Sequence, residues 1–278
     1  MIVTSKLDSA SMNIHKQLTK YLGFRKRPDG LQFDGSSVYM SGDILLVTSE
    51  RELVNSEHID QSFKTDLLIF ASRHRSEAGK PALLVHCTGN WTGQADLGGE
   101  PCELAIAPAS AMREALRELA KQKDELALDN YEVTMECTHH GPTSMSTPLL
   151  FVELGSDEKH WADELAARAV ANTVYKVAKG VERAKTALGI GGPHYAPNFT
   201  KIILSSNNIA AGHIIPNYVL HDMRKDMVQK AIARTLEKVE LILLDWKGLR
   251  GEHRELARDI ADELGVETMK THDIMKNS

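Results

Sequence analysis

The stretch "YEVTMECTHHGPTSMSTPLLFVELG", residues 131–155, decides how the fold is read. "YEVTMEC" (131–137) alternates apolar and polar residues, the period of a half-buried strand. "PLLFVELG" (148–155) is a short apolar run opened by Pro148, which a first strand position tolerates. Between the two strands stand His139, His140, a Gly-Pro turn and a Ser/Thr-rich loop. A strand that ends in paired imidazoles and returns as a second strand places chemistry at the rim of a sheet.

The same grammar runs outward in both directions. Strands are expected at "MIVTS" (1–5), twice within "SVYMSGDILLVTS" (37–49), and at "LLIFAS" (67–72), "ALLVH" (82–86), "TALGI" (186–190), "NIAAGHII" (208–215) and "ELILLD" (240–245). Helices fall between them. Met112, Ala115, Leu116, Leu119 and Ala120 form one apolar stripe. A longer helix is expected after Ser156-Asp157, with Ala162, Leu165, Ala166, Ala169, Val170, Thr173 and Val177 on its inner face. A third carries Val228, Ala231, Ile232, Leu236 and Val239, and a last one spans 252–264. Strands interleaved with helices predict an α/β fold with a mixed, mostly parallel sheet covered on both faces.

The chain has 278 residues and no Pro/Gly/Ser-rich linker, so one unit spanning 1–278 is expected. No apolar run is long enough to cross a bilayer and no leader pattern opens the chain, so the expected location is the cytoplasm. The net charge of -5 counts against non-specific binding of long DNA, although a local basic face suffices for a compact RNA. Three cysteines, Cys87, Cys102 and Cys137, contain no C-x-x-C and read as small buried hydrophobes.

His86, His139 and His194 share one layout, an apolar strand followed by a glycine-containing polar loop. Ligands in open α/β sheets bind at the carboxyl ends of strands, so the three loops are expected to meet at one edge. Each imidazole serves equally well as a hydrogen-bonded structural group, and His213 in "AAGHIIP" reads as packing. Adjacent side chains on an extended chain point opposite ways, so one of His139 and His140 faces the cleft. Glu136 and Glu153 suit a ligand, a general base or an amine anchor, or a plain rim carboxylate. No H-E-x-x-H, P-loop or G-x-S-x-G is present. Basic stretches at 25–27, 73–75, 224–238 and 247–255 read as solvated faces or phosphate clamps.

"SKLDSASMNI" (5–14), "FASRHRS" (70–76), "HCTGNW" (86–91), "ECTHHGPTSMSTPLLFVELGS" (136–156), "ALGIGGPHYAPNFT" (187–200), "GHIIPNY" (212–218) and "DWKGLRGEHRE" (245–255) together resemble the archaeal and plant type of D-aminoacyl-tRNA deacylase. The resemblance runs nearly end to end, and "THHGPT" followed by "GGPHYAP" carries most of its specificity. It implies a three-layer α/β/α fold of the phosphorylase/hydrolase type, zinc dependence, and hydrolysis of the ester joining a D-amino acid to tRNA. The implied partner is the acceptor end of D-aminoacyl-tRNA, and a monomer is expected. Asn198 and Asn217 depart from the family by replacing basic residues, and Cys87 and Cys137 lie outside its motif.

For such a reaction, His140 or His194 is the expected water-orienting group, with Thr88, Asn90 and the amides of Gly89, Gly191 and Gly192 as oxyanion donors. The glycines of "GIGGP" would wall off the L side chain while tolerating many D side chains. Trp91 offers a stacking face and Glu153 an anchor for the amine. If zinc binds, His86, His139, His194 and Glu136 are its expected ligands. A zinc-dependent aminopeptidase or amidohydrolase of similar build, and a non-catalytic RNA-binding module, remain as alternatives.

Overall fold

The computed structural model describes residues 1–276. From the N-terminus the elements are β1 (Ile2–Ser5), α1 (Ser9–Tyr21), β2 (Arg25–Lys26), β3 (Gln32–Phe33), β4 (Ser36–Ser37), β5 (Tyr39–Ser41), β6 (Ile44–Ser49), α2 (His58–Ser62), β7 (Leu68–Arg75), β8 (Ala82–His86), α3 (Ala109–Glu125) and β9 (Glu132–Met135). They continue as β10 (Leu149–Ser156), α4 (Glu158–Trp161), α5 (Glu164–Ala178), β11 (Lys185–Ile190), α6 (Pro197–Ser205), β12 (Ile209–Ile215), α7 (Lys225–Ala233), β13 (Val239–Leu244), α8 (Gly251–Leu264), β14 (Glu267–Lys270) and α9 (Thr271–Lys276).

The fold is mixed α/β, as the sequence predicts, but it holds two large sheets rather than one. The first has eight strands in the order β2-β5-β6-β1-β7-β10-β8-β9. Strands β6, β1, β7 and β10 run parallel, whereas β8 opposes β10 and β9 follows β8. The second sheet, β12-β11-β13-β14, is parallel throughout. Periodicity cannot distinguish one sheet from two, because buried strands of either read as the same apolar run. Helix α3 packs on β8 and β9 of the first sheet and on β12 of the second.

Two helix expectations are corrected. The helix after Ser156-Asp157 breaks at Ala162: Asp157 caps the short α4, and Asp163 caps α5 by accepting from the amides of Leu165 and Ala166. Leu165 is thereby turned outward and is exposed. Helix α7 stops at Ala233, so Leu236 stands exposed in the following turn and Val239 opens β13. Helix α1 was not expected, because buried Ser11 and Gln17 interrupt its apolar stripe. Among the described residues no helix is long and apolar enough to cross a membrane.

The register of the first sheet explains the site. Glu153 pairs with Ser72 of β7 and with Leu84 of β8, Gly155 with His74, and Phe151 with His86. Alternation along each strand therefore sends Ser72, His74, Glu153 and His86 out of the same face. Gly155 is required there: a Cβ at that position would stand 2.9 Å from His74 Cβ.

Candidate active site

The segment following β9 stitches the two sheets together. Glu136 N–H donates to Val85 O at 3.0 Å, Cys137 N–H to His194 O at 2.8 Å and Thr138 N–H to Ile214 O at 3.0 Å. His194, from the loop after β11, is thus drawn onto the face of the first sheet. His139 and His140 follow at once, with His140 in the left-handed region at φ 46°. His86 then lies within 4.3 Å of His139 and 4.9 Å of His140, ring centre to ring centre, and His139 within 4.6 Å of His194.

Beneath the imidazoles lie two buried carboxylates. Glu153 accepts from Ser72 Oγ at 2.7 Å and lies 3.4 Å from His74 Nδ1 and 3.6 Å from His86 Nε2. Glu136 lies 2.9 Å from His194 Nε2, 3.5 Å from His74 Nδ1 and 3.9 Å from His86 Nε2. Apart from these imidazole contacts, both buried Glu136 oxygens have no hydrogen-bond partner. Burial alone would lift the Glu153 carboxyl, but hydrogen bonds and charge from His74 and His86 hold it well below the usual range.

The imidazoles divide by charge. Burial, then mutual repulsion among His86, His140 and His194, drives His139 well below its ordinary value. Burial likewise brings His140 down to about 4. For His194 burial opposes the charge, but Cys137 and Glu136 outweigh it and push the ring up to about 10. For His74 burial is again outweighed, by Glu153 and Glu136, and the ring is raised.

This donor set suits a metal ion. His86 Nδ1 faces Cys87 O at 3.2 Å, His139 Nδ1 faces Cys137 O at 2.8 Å and His140 Nδ1 faces Gly141 O at 2.6 Å. When each Nδ1–H donates to its carbonyl, each Nε2 lone pair is left free, the tautomer a metal takes. His86 Nε2 is buried without a hydrogen-bond partner and faces carboxylate oxygens, an arrangement a neutral ring disfavours and an interposed cation relieves. Among the described residues three groups have ligand atoms mutually close enough for an ion: His86–His139–His140, Cys137–His139–His194 and His74–Glu136–Glu153.

The expected site residues now separate. His86, His139, His140, His194, Glu136 and Glu153 converge. The expected ligand quartet does not form one group, because its members are divided among these three. The meeting place is a sheet face between two sheets rather than one carboxyl edge, since β8 and β9 run against β7 and β10. Thr88 is fully buried and donates to Pro142 O, so it pins the loop and has no donor to spare. Asn90 spends its amide on Gly98 O and Glu100 O at 2.9 and 3.2 Å, and the Gly89 amide donates to His140 O at 2.8 Å. Gly191 and Gly192 pack against Asp245 and Leu249 and do not line the cavity beside the histidines. That cavity measures about 500 Å³ and is lined by Gly89, Asn90, Trp91, His139, His140 and Tyr218 among others. Trp91 is 9% exposed, with its indole N–H on Thr138 O at 2.8 Å.

Three contributors escaped the sequence reading: His74, Tyr195 and Tyr218. His74 is reached by extending β7 two residues past Ser72. Tyr195 holds His74 Nε2 at 3.1 Å. Cys137, read as inert, lies 3.4 Å from His194 Nδ1 and 3.2 Å from the Tyr218 hydroxyl. His213 is packing, held by Thr138 Oγ1, Ala105 O and Arg234 O.

A family model described as D-aminoacyl-tRNA deacylase matches residues 61–269. The chain belongs to that family. A D-aminoacyl-tRNA deacylase of Pyrococcus furiosus is 42% identical over 276 residues, covering 97% of this chain and 99% of the relative. One of Thermococcus kodakarensis is 41% identical over 278 residues, with the same coverage. A crystal structure titled as a conserved protein of unknown function, AF0625, superposes with a TM-score of 0.90 at 31% identity, covering 99% of this chain and 96% of that one. The aminopeptidase or amidohydrolase alternative gains no support from these deacylase relatives.

Proposed function

We propose that this chain hydrolyses the ester bond of D-aminoacyl-tRNA, releasing free tRNA and a D-amino acid, and that zinc assists it. The observation that carries this reading is the cluster of imidazoles over two buried carboxylates beside a cavity of about 500 Å³, in a chain of the deacylase family. Both sheets supply residues, so the working unit is the whole chain.

His86, His139 and His140 are the residues that would hold zinc, because their Nδ1 atoms face backbone carbonyls. Bound there, zinc would supply Lewis-acid polarisation of the ester carbonyl. The chain's own groups do the rest. Glu136, buried and 2.9 Å from His194 Nε2, would take a proton from the attacking water. His194, beside Glu136 and partly open to solvent, is placed to return a proton to the departing ribose oxygen. Such help is typically worth about 10²–10⁴-fold. Glu153 and Ser72 fix His74 and His86 from below. The cavity has room for side chains of several sizes, in keeping with broad tolerance.

The test is release of tyrosine from D-Tyr-tRNA and L-Tyr-tRNA by purified protein, with a chelator arm and zinc add-back. Release from the D-ester alone, lost to chelator and restored by zinc, is expected. Equal release from both esters would sink the chiral reading, and D-selective release indifferent to chelator would sink the zinc.

A further inference from the structure

The basic stretch near residue 250 takes no part in the cluster, yet it is organised. Trp246 follows β13 at the carboxyl edge of the parallel sheet, where ligands bind in open α/β sheets. Three cations surround its indole: Arg254 at 4.1 Å, Lys270 at 4.3 Å and Arg258 at 5.5 Å from the ring centre. Any two of them therefore lie within about 10 Å, roughly one Debye length at 0.1 M salt. Among the described residues none of the three forms an ion pair with a carboxylate, and neither does Lys247. Arg250 has only Glu252, at 4.0 Å. Arg254 spends one nitrogen on Trp246 O at 2.8 Å, while its buried Nε has no partner. Like charges held this close without counter-charges repel one another until an anion joins them.

This surface shares its loops with the active site. Gly192, two residues before His194, packs against Asp245, and Asn198 Nδ2 donates to Asp245 Oδ2 at 2.9 Å. Asn217 N–H donates to Gly192 O at 2.9 Å, and the next residue, Tyr218, reaches Cys137. Tyr218 lines the cavity, so the loops after β11, β12 and β13 join this edge to the cavity wall. We propose that Trp246, Lys247, Arg250, Arg254, Arg258 and Lys270 form the docking surface for the sugar–phosphate backbone of the tRNA acceptor stem. The proposal rests on the deacylase reading. Guanidinium and ammonium groups grip phosphate without reading bases, so the contact is sequence-independent.

The test replaces Arg258→Glu together with Lys270→Glu. Binding of uncharged tRNA is followed by fluorescence anisotropy, and turnover on D-Tyr-tRNA and on 3′-O-(D-tyrosyl)adenosine, which has no stem. Expected are at least about a tenfold loss of tRNA affinity, a matching rise in KM for D-Tyr-tRNA, and a salt slope smaller by about 1–2. Turnover of the tyrosyl-adenosine should not change. Unaltered affinity and salt slope would overturn the surface. Should the double variant misfold, Arg258→Gln, exposed on α8, is expected to lower affinity about twofold to threefold, and no change would count equally against the proposal. A wild type that binds tRNA through this surface but releases no D-tyrosine would fail the deacylase reading and leave the surface standing.

Discussion

At the scale of single residues, Gly155 shows how the site depends on a missing side chain. A Cβ there would meet His74 Cβ and Cδ2 at 2.9 Å, and neither is a free-swinging tip. Gly155→Ala is expected to cost about 1–3 kcal/mol in urea unfolding, as overpacking does, and to lower kcat by displacing His74. Unchanged stability and activity would mean that His74 does not brace the carboxylates. The sequence made most of the polar cluster legible, because His86 and Glu153 stand within strands and Glu136, His139, His140 and His194 lie in the segments that follow strand ends. It could not show that Thr88 and Asn90 were already committed. A side chain that caps a loop and one that awaits a substrate look alike until hydrogen bonds are counted. Cys137 is buried, as its reading as a small buried residue expects, but only the fold brings His194 and Tyr218 to it.

At the scale of elements, Asp163 carries more than its place in a loop suggests. Its Oδ1 accepts from the amides of Leu165 and Ala166, and its Oδ2 from the Tyr131 hydroxyl at 3.0 Å. Asp163→Ala removes an N-cap and leaves a buried phenol without its acceptor, which together should cost about 1–3 kcal/mol. Denaturant midpoints read the loss, and kcat/KM on D-Tyr-tRNA should hold. A full-strength α5 in the variant would remove the cap argument. Strands with strong apolar runs were legible to within a residue or two, except β7, which runs three residues past the expected end at Ser72. Helix ends were less so, since the stripe from Ala162 to Val177 continues in phase across a break that only the second aspartate marks. β14, Glu267–Lys270, is exposed or half-buried throughout and has no apolar run to announce it.

At the scale of the whole molecule, half-buried His15 and buried His213, both away from the cluster of His139 and His140, tie stability to pH. Burial brings His15 and His213 each down to about 4. Between pH 4 and 6.5 the unfolded chain binds protons there that the folded chain does not, so these groups make stability rise with pH across that window and contribute fully above it. His194, raised instead, works in the opposite direction, so a variant comparison isolates the effect. His15→Gln should flatten the loss between pH 7 and pH 5 by on the order of 2 kcal/mol in urea titrations. An identical slope would contradict it. The pairing of two sheets was beyond reach of pattern alone, because it depends on residues 136–140 bonding to both. The most direct measurement is single-turnover release of D-tyrosine from D-Tyr-tRNA by His139→Ala, compared with wild type under conditions where both melt alike. The account predicts a loss of about a hundredfold or more, since removing even a supporting group of a metal site typically costs 10–100-fold. A rate equal to wild type would show that the cluster is not the hydrolytic centre.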